Sequence, residues 1–283
     1  MTIITSLKEI TELISGLKSS GKSIGFVPTM GALHNGHLSL VKRCKLENDI
    51  CVVSIFVNPT QFNDKNDLAK YPRNLEHDAQ LLKSETCDII FAPSAEEMYA
   101  KEEIEVPFSF DFNGLDKVME GKFRPNHFNG VVQIVSKLFD IVKPDKAYFG
   151  EKDFQQVAII KHMTNVMKLP VTIIACPIVR EESGLALSSR NELLTPDERK
   201  KARNISKVLI ESLNFVGQKS VIELQQWVVE QLNAMDGLMV EYFDIVDGDS
   251  LQTIEKWSDS AFIVGCITVF CGKIRLIDNI HYK

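Results

Sequence analysis

Lys22-Ser23-Ile24-Gly25-Phe26-Val27-Pro28 runs directly into Thr29-Met30-Gly31-Ala32-Leu33-His34-Asn35-Gly36-His37, and this passage decides the fold. Lys22 to Val27 is a short apolar strand that ends at Pro28. A loop with Gly31 and Gly36 follows, and from His37 to Leu46 the apolar Leu38, Val41 and Leu46 recur at helical spacing. Strand, glycine loop and helix in that order open a βαβ unit.

The same alternation continues outward. Asp49 to Val57 is an almost continuous apolar run, as expected of a strand covered on both faces. A helix near Leu75 to Lys83 and a strand over Cys87 to Ala92 come next. Phe128, Val131, Val132, Val135, Leu138, Phe139 and Val142 then mark a helix that ends before Pro144. Lys146 to Phe149 is a strand, Phe154 to Met167 a helix, and Val171 to Val179 a strand. Upstream, Ser6-Leu7-Lys8-Glu9 reads as a capping box, followed by Ile10, Leu13, Ile14 and Leu17 on one face and a stop at Gly21. Strands alternating with helices imply right-handed crossovers and an α/β, doubly wound parallel sheet. Ligands bind such sheets beyond the carboxyl ends of the strands. That rule selects Pro28–His37, Val57–Phe62, Gly150–Gln156 and the segment after Val179, which should share one crevice.

The pattern changes near residue 180. Thr195-Pro196-Asp197-Glu198 opens a helix with a capping box and Pro at its first position, and Ile205, Val208, Leu209 and Leu213 give it an apolar stripe. A second helix covers Val221 to Leu232. Strands over Met239–Val246, Ala261–Phe270 and Lys273–Ile277 close the chain, with Gly272 as a hairpin turn. The expectation is two domains, residues 1–178 and a smaller α+β domain over residues 179–283.

Composition bounds the class. Of 283 residues, 45% are hydrophobic and 25% charged, which suits a globular protein with a sizeable core. No apolar run approaches the roughly 20 residues of a membrane span, and the N-terminus shows no signal peptide, so a cytoplasmic location and no membrane partner are expected. Lys plus Arg number 32 against 38 Asp plus Glu, a net charge of −6, which argues against a nucleic-acid partner. Cys44, Cys51, Cys87, Cys176, Cys266 and Cys271 form no C-x-x-C pair and read as reduced, buried thiols.

Four segments can carry chemistry together. On the first loop, His34 and His37 stand one helical turn apart at a helix N-terminus, where unpaired N–H groups and partial positive charge suit an anion. A helix cap with surface histidines, or a metal pair, are the alternatives there, although no third metal ligand is evident nearby. Val57-Asn58-Pro59-Thr60-Gln61-Phe62 places buried amides where a substrate with hydroxyls and a carboxylate could be oriented, or it is an ordinary Asn-Pro turn. In Gly150-Glu151-Lys152-Asp153-Phe154-Gln155-Gln156, Lys152 can reach phosphates and Asp153 ribose hydroxyls, or the segment is a strand-end turn. In Pro177-Ile178-Val179-Arg180-Glu181-Glu182-Ser183-Gly184-Leu185-Ala186-Leu187-Ser188-Ser189-Arg190-Asn191, two hydroxyls before Arg190 can coordinate phosphate and Gly184 lets the loop move, or the stretch is a serine-rich linker. A fifth stretch, Gly121-Lys122-Phe123-Arg124-Pro125-Asn126-His127-Phe128, reads locally as a basic turn. No P-loop, no G-x-G-x-x-G after the first strand and no G-x-S-x-G elbow is present.

Read in order, these blocks resemble the pantothenate synthetase family, within the nucleotidyltransferase-type Rossmann superfamily. The likeness runs from Ser23 to Asn191 and continues more weakly to the C-terminus. The histidine segment is similar to the family's form of the H-x-G-H signature, and Leu187-Ser188-Ser189-Arg190 stands where related synthetases carry a mobile lysine–serine loop. Phe149 to Gln156 and Arg124 to Phe128 are also family blocks. The resemblance implies a Rossmann-like domain with a ferredoxin-like C-terminal lid, and a homodimer. It implies that pantoate attacks the α-phosphate of Mg-ATP to give pantoyl adenylate and pyrophosphate. The amine of β-alanine then forms pantothenate and releases AMP, on the route to coenzyme A.

By the same resemblance His34, His37, Lys152 and Arg190 are catalytic. Met30, Gly31, Ala32, Leu33, His34, Asn35, Gly36, His37, Gly150, Glu151, Lys152, Asp153, Val179, Leu187, Ser188, Ser189 and Arg190 bind ATP. Gln61, Gln156 and Met30 bind pantoate, Gln61 also meets β-alanine, and magnesium is carried by the ATP phosphates without a protein metal site. Ser183 stands where the family usually has Asp, Leu187 where Met is usual, and Phe154 where Tyr is frequent. Two other classes remain: a nucleotidyltransferase that keeps the nucleotide on its product, which needs cations for a second anionic substrate, and a non-catalytic nucleotide-binding regulator, which has no use for His34, His37, Lys152 and Arg190 together.

Overall fold

The structure, a computed structural model, describes residues 1–62, 68–69, 71–100, 103, 106 and 108–283. The chain divides into two compact units, Met1–Asp116 with Gly121–Gly150 and Ile159–Cys176, and Lys117–Glu120 with Glu151–Ala158 and Pro177–Lys283.

In the first unit six strands among the described residues form one parallel sheet. They are β1 (Thr2–Ile4), β2 (Ile24–Thr29), β3 (Ile50–Ile55), β4 (Ile89–Phe91), β5 (Lys146–Gly150) and β6 (Thr172–Cys176), in the order β1-β4-β3-β2-β5-β6. Every pairing is parallel. The expected α/β sheet is therefore present, with an edge strand β1 that the sequence reading left unassigned. The order reverses between β2 and β5, which makes that junction the switch point of the sheet. The helices α1 (Leu7–Ser19), α2 (Asn35–Glu47), α3 (Leu75–Ser84) and α6 (His127–Val142) connect the strands, with the short α4 (Ala95–Met98) and α5 (Met119–Phe123) before α6.

β2 is buried because both its faces are covered: Ile24, Phe26 and Val27 are inaccessible. Val27, Val41, Cys44, Cys51, Val53, Leu82, Ile90 and Tyr148 belong to one apolar cluster between sheet and helices. Pro28 lies within β2 and does not end it, since the strand continues to Thr29 and pairs Pro28 with Ser54 of β3. A proline is tolerated in this central strand because the ladder toward β5 covers only Gly25 and Phe26, so its missing N–H falls where that pairing has stopped.

In the second unit α8 (Pro196–Ser212) and α9 (Val221–Asn233) precede an antiparallel sheet of β7 (Leu238–Asp247), β8 (Ile263–Cys271) and β9 (Ile274–His281). The helix α7 (Phe154–Val166) runs across the division of the chain. Thr195 caps α8 in a full capping box with Glu198 and with Pro at the first turn, as its sequence requires, and Ser220 does the same for α9 with Glu223. Ile205, Leu209, Leu224, Val228, Ile245, Ile263, Ile267 and Val269 form this unit's core. All six cysteines are free and buried, and burial pushes the Cys266 thiol up from its ordinary value. Among the described residues no helix is long and apolar enough to cross a membrane.

Candidate functional site

The candidate residues fall into two sets, one held by each unit. In the first unit β2 delivers the chain into Met30–His34 and then into α2, as the opening passage of the sequence requires. The loop is tight: Gly31 has φ +80° and Ala32 φ +51°, so two successive residues lie in the left-handed region. Gly31 is obligatory on a second ground, since a Cβ there would sit 2.9 Å from Asp78 Oδ2. Asp78, on α3 and 1% exposed, is the anchor of this loop. Ala32 N–H donates to its Oδ2 at 3.0 Å and Leu33 N–H to its Oδ1 at 2.8 Å. Thr29 adds a further tie, accepting from Gly31 N–H at 3.2 Å while its hydroxyl donates to the Ser54 carbonyl at 2.7 Å.

The two histidines cap α2 reciprocally. Gly36 N–H donates to His34 Nδ1 at 3.1 Å, and His34 N–H donates to His37 Nδ1 at 3.4 Å. Their ring centroids lie 4.1 Å apart. A backbone N–H can only donate, so each Nδ1 carries the lone pair and each ring carries its proton on Nε2. This corrects the sequence reading on one point of physics. The N–H groups of Ala32, Leu33, His34, Gly36 and His37 are all taken within the protein, the last by the His34 carbonyl at 2.8 Å. The backbone amides of this helix start are therefore held within the protein, and what His34 and His37 add there is their imidazole rings.

Gln61 closes the 3-10 turn Pro59–Gln61 and is 8% exposed. Its Oε1 accepts from Asn58 Nδ2 at 3.1 Å, which turns its Nε2 toward Met30 Sδ at 3.2 Å. Asn58 also donates to the Gly130 carbonyl at 3.0 Å and accepts from Tyr99 OH at 2.8 Å. Burial pushes the Tyr99 phenol up to about 12, so it remains a donor. A Cβ on Gly130 would lie 2.5 Å from the Thr60 carbonyl oxygen, so only glycine lets α6 approach this turn. His127, from the block that read locally as a basic turn, is buried and donates from Nδ1 to the Gln61 carbonyl at 2.9 Å. Thus Met30 and Gln61, which the sequence reading assigned together, are in contact, and Asn58, Tyr99, His127 and Asp78 hold the elements they stand on. Asp78 had no signal of its own: it reads as one of two acids, with Glu76, in a helix's first turn.

The second set follows Gly150, the last residue of β5. Glu151–Asp153 form a 3-10 turn that leads into α7. The Lys152 side chain is 17% exposed, with its Nζ 4.0 Å from Asp153 Oδ1. Gln156 is half-buried in the first turn of α7, beside the buried Gln155, which donates to the Val118 carbonyl at 2.9 Å. Val179 to Leu187 fold back as a narrow ribbon: Leu187 N–H donates to the Val179 carbonyl at 3.0 Å and Glu181 N–H to the Leu185 carbonyl at 2.9 Å. Gly184 turns the ribbon with φ +90°. Ser188 caps a 3-10 turn, Ser189–Leu193, accepting from Arg190 N–H at 3.2 Å. Asn191, 1% exposed, donates to Glu181 Oε1 at 3.1 Å and to the Ala186 carbonyl at 3.0 Å. Arg199 pairs with both Glu181 oxygens, at 2.6 and 3.2 Å, and holds that carboxyl below the ordinary carboxylate range. Arg180, in the same ribbon, is paired with the buried Asp278 at 2.7 and 2.9 Å. Among the described residues no cluster of three or more His, Cys, Asp or Glu is placed to hold a metal ion.

Comparison with known proteins bears on what such sets do. The sequence model of the family described as pantoate-beta-alanine ligase matches residues 2–281. The pantothenate synthetase of Bacteroides thetaiotaomicron is 56% identical over 283 residues, all of this chain and 99% of that protein. That of Porphyromonas gingivalis W83 is 54% identical, with both chains covered completely. Among solved structures, pantothenate synthetase from Thermus thermophilus superposes with a TM-score of 0.92 at 40% identity, covering 100% of this chain and 99% of that one. The pantoate-beta-alanine ligase of Francisella tularensis, solved complexed with beta-gamma ATP and beta-alanine, gives 0.83 at 36% identity over 100% and 98%.

Proposed function

This chain belongs to the pantoate-beta-alanine ligase family, and on that premise we propose that it joins pantoate to β-alanine through a pantoyl-adenylate intermediate. A pantoate carboxylate oxygen attacks the α-phosphorus of ATP and pyrophosphate leaves. The amine of β-alanine then attacks the acyl carbon, AMP leaves, and the new bond is an amide. The observation that carries this reading is the reciprocal capping of His34 and His37, which fixes both rings as neutral Nε2–H donors. Donors already oriented where charge grows on phosphate oxygens stabilise a transition state without reorganising.

The other roles follow from residue chemistry. Lys152 and Arg190 supply fixed positive charge to the phosphates, with Ser188 and Ser189 as hydroxyl donors; Gly150 and Asp153 serve ribose, and Glu151 stands between them in the ATP site. Val179 offers its backbone to adenine. Gln61, its amide oriented by Asn58, donates to pantoate and later meets β-alanine, and Gln156 is a second amide for pantoate. Met30 borders the pantoate side, and Gly31, Ala32, Leu33, Asn35, Gly36 and Leu187 shape the nucleotide's surroundings through backbone. Apart from Glu151 and Asp153, these groups are imidazoles, amides, hydroxyls and cations, which leaves phosphate and water oxygens as the main ligands for magnesium. Magnesium therefore enters as part of the substrate Mg-ATP. Residues 1–178 act as the ATP- and pantoate-binding domain and residues 179–283 as its lid, and family likeness supports a cytoplasmic homodimer on the route to coenzyme A.

Isotope exchange between pyrophosphate and ATP tests the intermediate. It should require pantoate and proceed without β-alanine, and the full reaction should release AMP. Stoichiometric ADP would exclude an adenylate. A product that retains the nucleotide would instead favour the transferase reading.

A further inference from the structure

Two neighbouring residues of β9, Asp278 and Asn279, are polar and buried, at 5% and 2% exposure. Asn279 Nδ2 donates to two carbonyls, that of Glu151 at 2.7 Å and that of Lys152 at 3.2 Å. Its Oδ1 is buried with no partner among the described residues, so the donor end of the amide is the end in use. Asp278 takes Arg180 in a fork, at 2.7 and 2.9 Å, and also accepts from the Asn279 N–H at 2.8 Å. Arg180 in turn donates to the Gly184 carbonyl at 3.2 Å, inside the ribbon from Val179 to Leu187. Two adjacent side chains thus grip two segments that the sequence separates, the Lys152 turn and the Val179–Leu187 ribbon.

We propose that Asp278 and Asn279 are positioning residues that lock the Lys152 turn and the Val179–Leu187 ribbon to one another, so that nucleotide binding depends on them and pantoate binding does not. The physical ground is cost. A strand can bury apolar groups in these places, whereas a buried carboxylate and a half-satisfied amide each carry a desolvation penalty that packing alone does not reward. What they supply is geometry. A backbone turn whose carbonyls are bound by a rigid donor keeps Lys152 at one position, and pre-set groups lose less freedom when a ligand binds. The paired guanidinium does the same for the ribbon that offers Val179. The inference rests on the proposed ATP roles of Lys152 and Val179.

The test replaces Asn279 by the similarly sized Leu, with Ser212→Ala as a control. Ser212 is buried in the same unit and bonds Tyr282 OH at 2.8 Å and the Leu209 carbonyl at 2.5 Å, with no hydrogen bond to either segment among the described residues. Binding of a non-hydrolysable ATP analogue is measured by calorimetry, and the Michaelis constants for ATP and pantoate by pyrophosphate exchange. Asn279→Leu should weaken the analogue and raise the ATP constant by about tenfold or more, the scale of losing such hydrogen bonds. Its pantoate constant should stay within about threefold, a spread below one lost hydrogen bond. Ser212→Ala should lower the unfolding midpoint and leave both constants alone. If Asn279→Leu does not fold, Asn279→Ser, which keeps a shorter donor, carries the same comparison with a smaller shift. Unchanged analogue binding in a folded Asn279 variant overturns the proposal, as does an equal rise in both constants. A wild-type protein that binds the analogue but shows no exchange would instead sink the adenylate reading and leave the binding comparison intact.

Discussion

His34 and His37 hold each other in place: the backbone N–H of His34 donates to the ring of His37, while His34's own ring caps the helix at Gly36. The pair is thus a structural cap and a chemical group at once. The two functions separate by substitution. Asn is as good a cap as a residue can be, but it has no imidazole Nε2–H. His34→Asn should keep stability near wild type while pantoate-dependent exchange falls by about a hundredfold, the scale of losing one preorganised donor. His34→Ala should lose the cap as well, about 1 kcal/mol by denaturant unfolding. His37→Ala and Lys152→Ala should each lower exchange on the hundredfold scale too. Full exchange activity in His34→Asn would reduce that histidine to a cap.

Asp78 should matter as much as the residues it never touches in the reaction. Removing its carboxylate leaves Ala32 N–H and Leu33 N–H without their acceptor beneath a loop already in left-handed conformation. Asp78→Ala should cost ~1–3 kcal/mol in unfolding free energy for stranded donors. It should also slow exchange per folded molecule by at least about tenfold, because a small displacement of His34 and His37 weakens their alignment. Leu82→Ala, a cavity in the same helix α3, is the control for stability alone. Equal exchange rates for the two folded variants would show that Asp78 supports the fold and nothing more.

The buried amides should discriminate pantoate from ATP. Gln61→Ala and Gln156→Ala each strand polar groups of the acid, a loss of ~1–3 kcal/mol. The Michaelis constant for pantoate should therefore rise far more than that for ATP. Gln61→Ala should also slow transfer from preformed pantoyl adenylate to β-alanine, and Gln156→Ala should spare that step more. Variants that weaken ATP and leave pantoate dependence untouched would move the pantoate pocket elsewhere. Asn58→Leu offers a finer check: with Gln61 present but unoriented, it should imitate Gln61→Ala in the pantoate constant.

Acid should loosen the Glu181–Asn191 segment first. Glu181, paired with Arg199, has its folded carboxyl held below the ordinary value of 4.5. A depressed carboxylate contributes stability that is fully present above the unfolded value and lost as pH falls through the folded one. Amide protection over residues 181–191, corrected for intrinsic exchange, should hold down to about pH 4.5, the ordinary carboxyl value, and decline below it. Glu181→Gln should remove that decline. An identical pH profile in the variant would show that another group governs the segment.

The order of elements was legible because periodicity is a local property. Val27 beside Phe26, the stripe of α6 and the box Thr195-Pro196-Asp197-Glu198 each announce themselves within a few residues, and each forms where its pattern lies. The histidine loop was legible for the same reason, as a short motif on the first strand–helix turn. β1 was not, since Thr2–Ile4 is too short for an alternating signature and is a strand only through its pairing with β4. Nor could the sequence say where the loop's amides point. Asp78 lies 46 residues beyond Ala32, Asn279 lies 128 beyond Glu151, and His127 lies 66 beyond Gln61. A buried hydrogen bond is satisfied by whatever the chain brings within about 3 Å, and sequence spacing carries no information about that distance. Sequence alone therefore determined the order of the elements and which loops carry the candidate polar residues. The tertiary structure alone decided which ring nitrogen bears the proton, which partners hold the Gln61 amide, and which carboxylates hold the loops still.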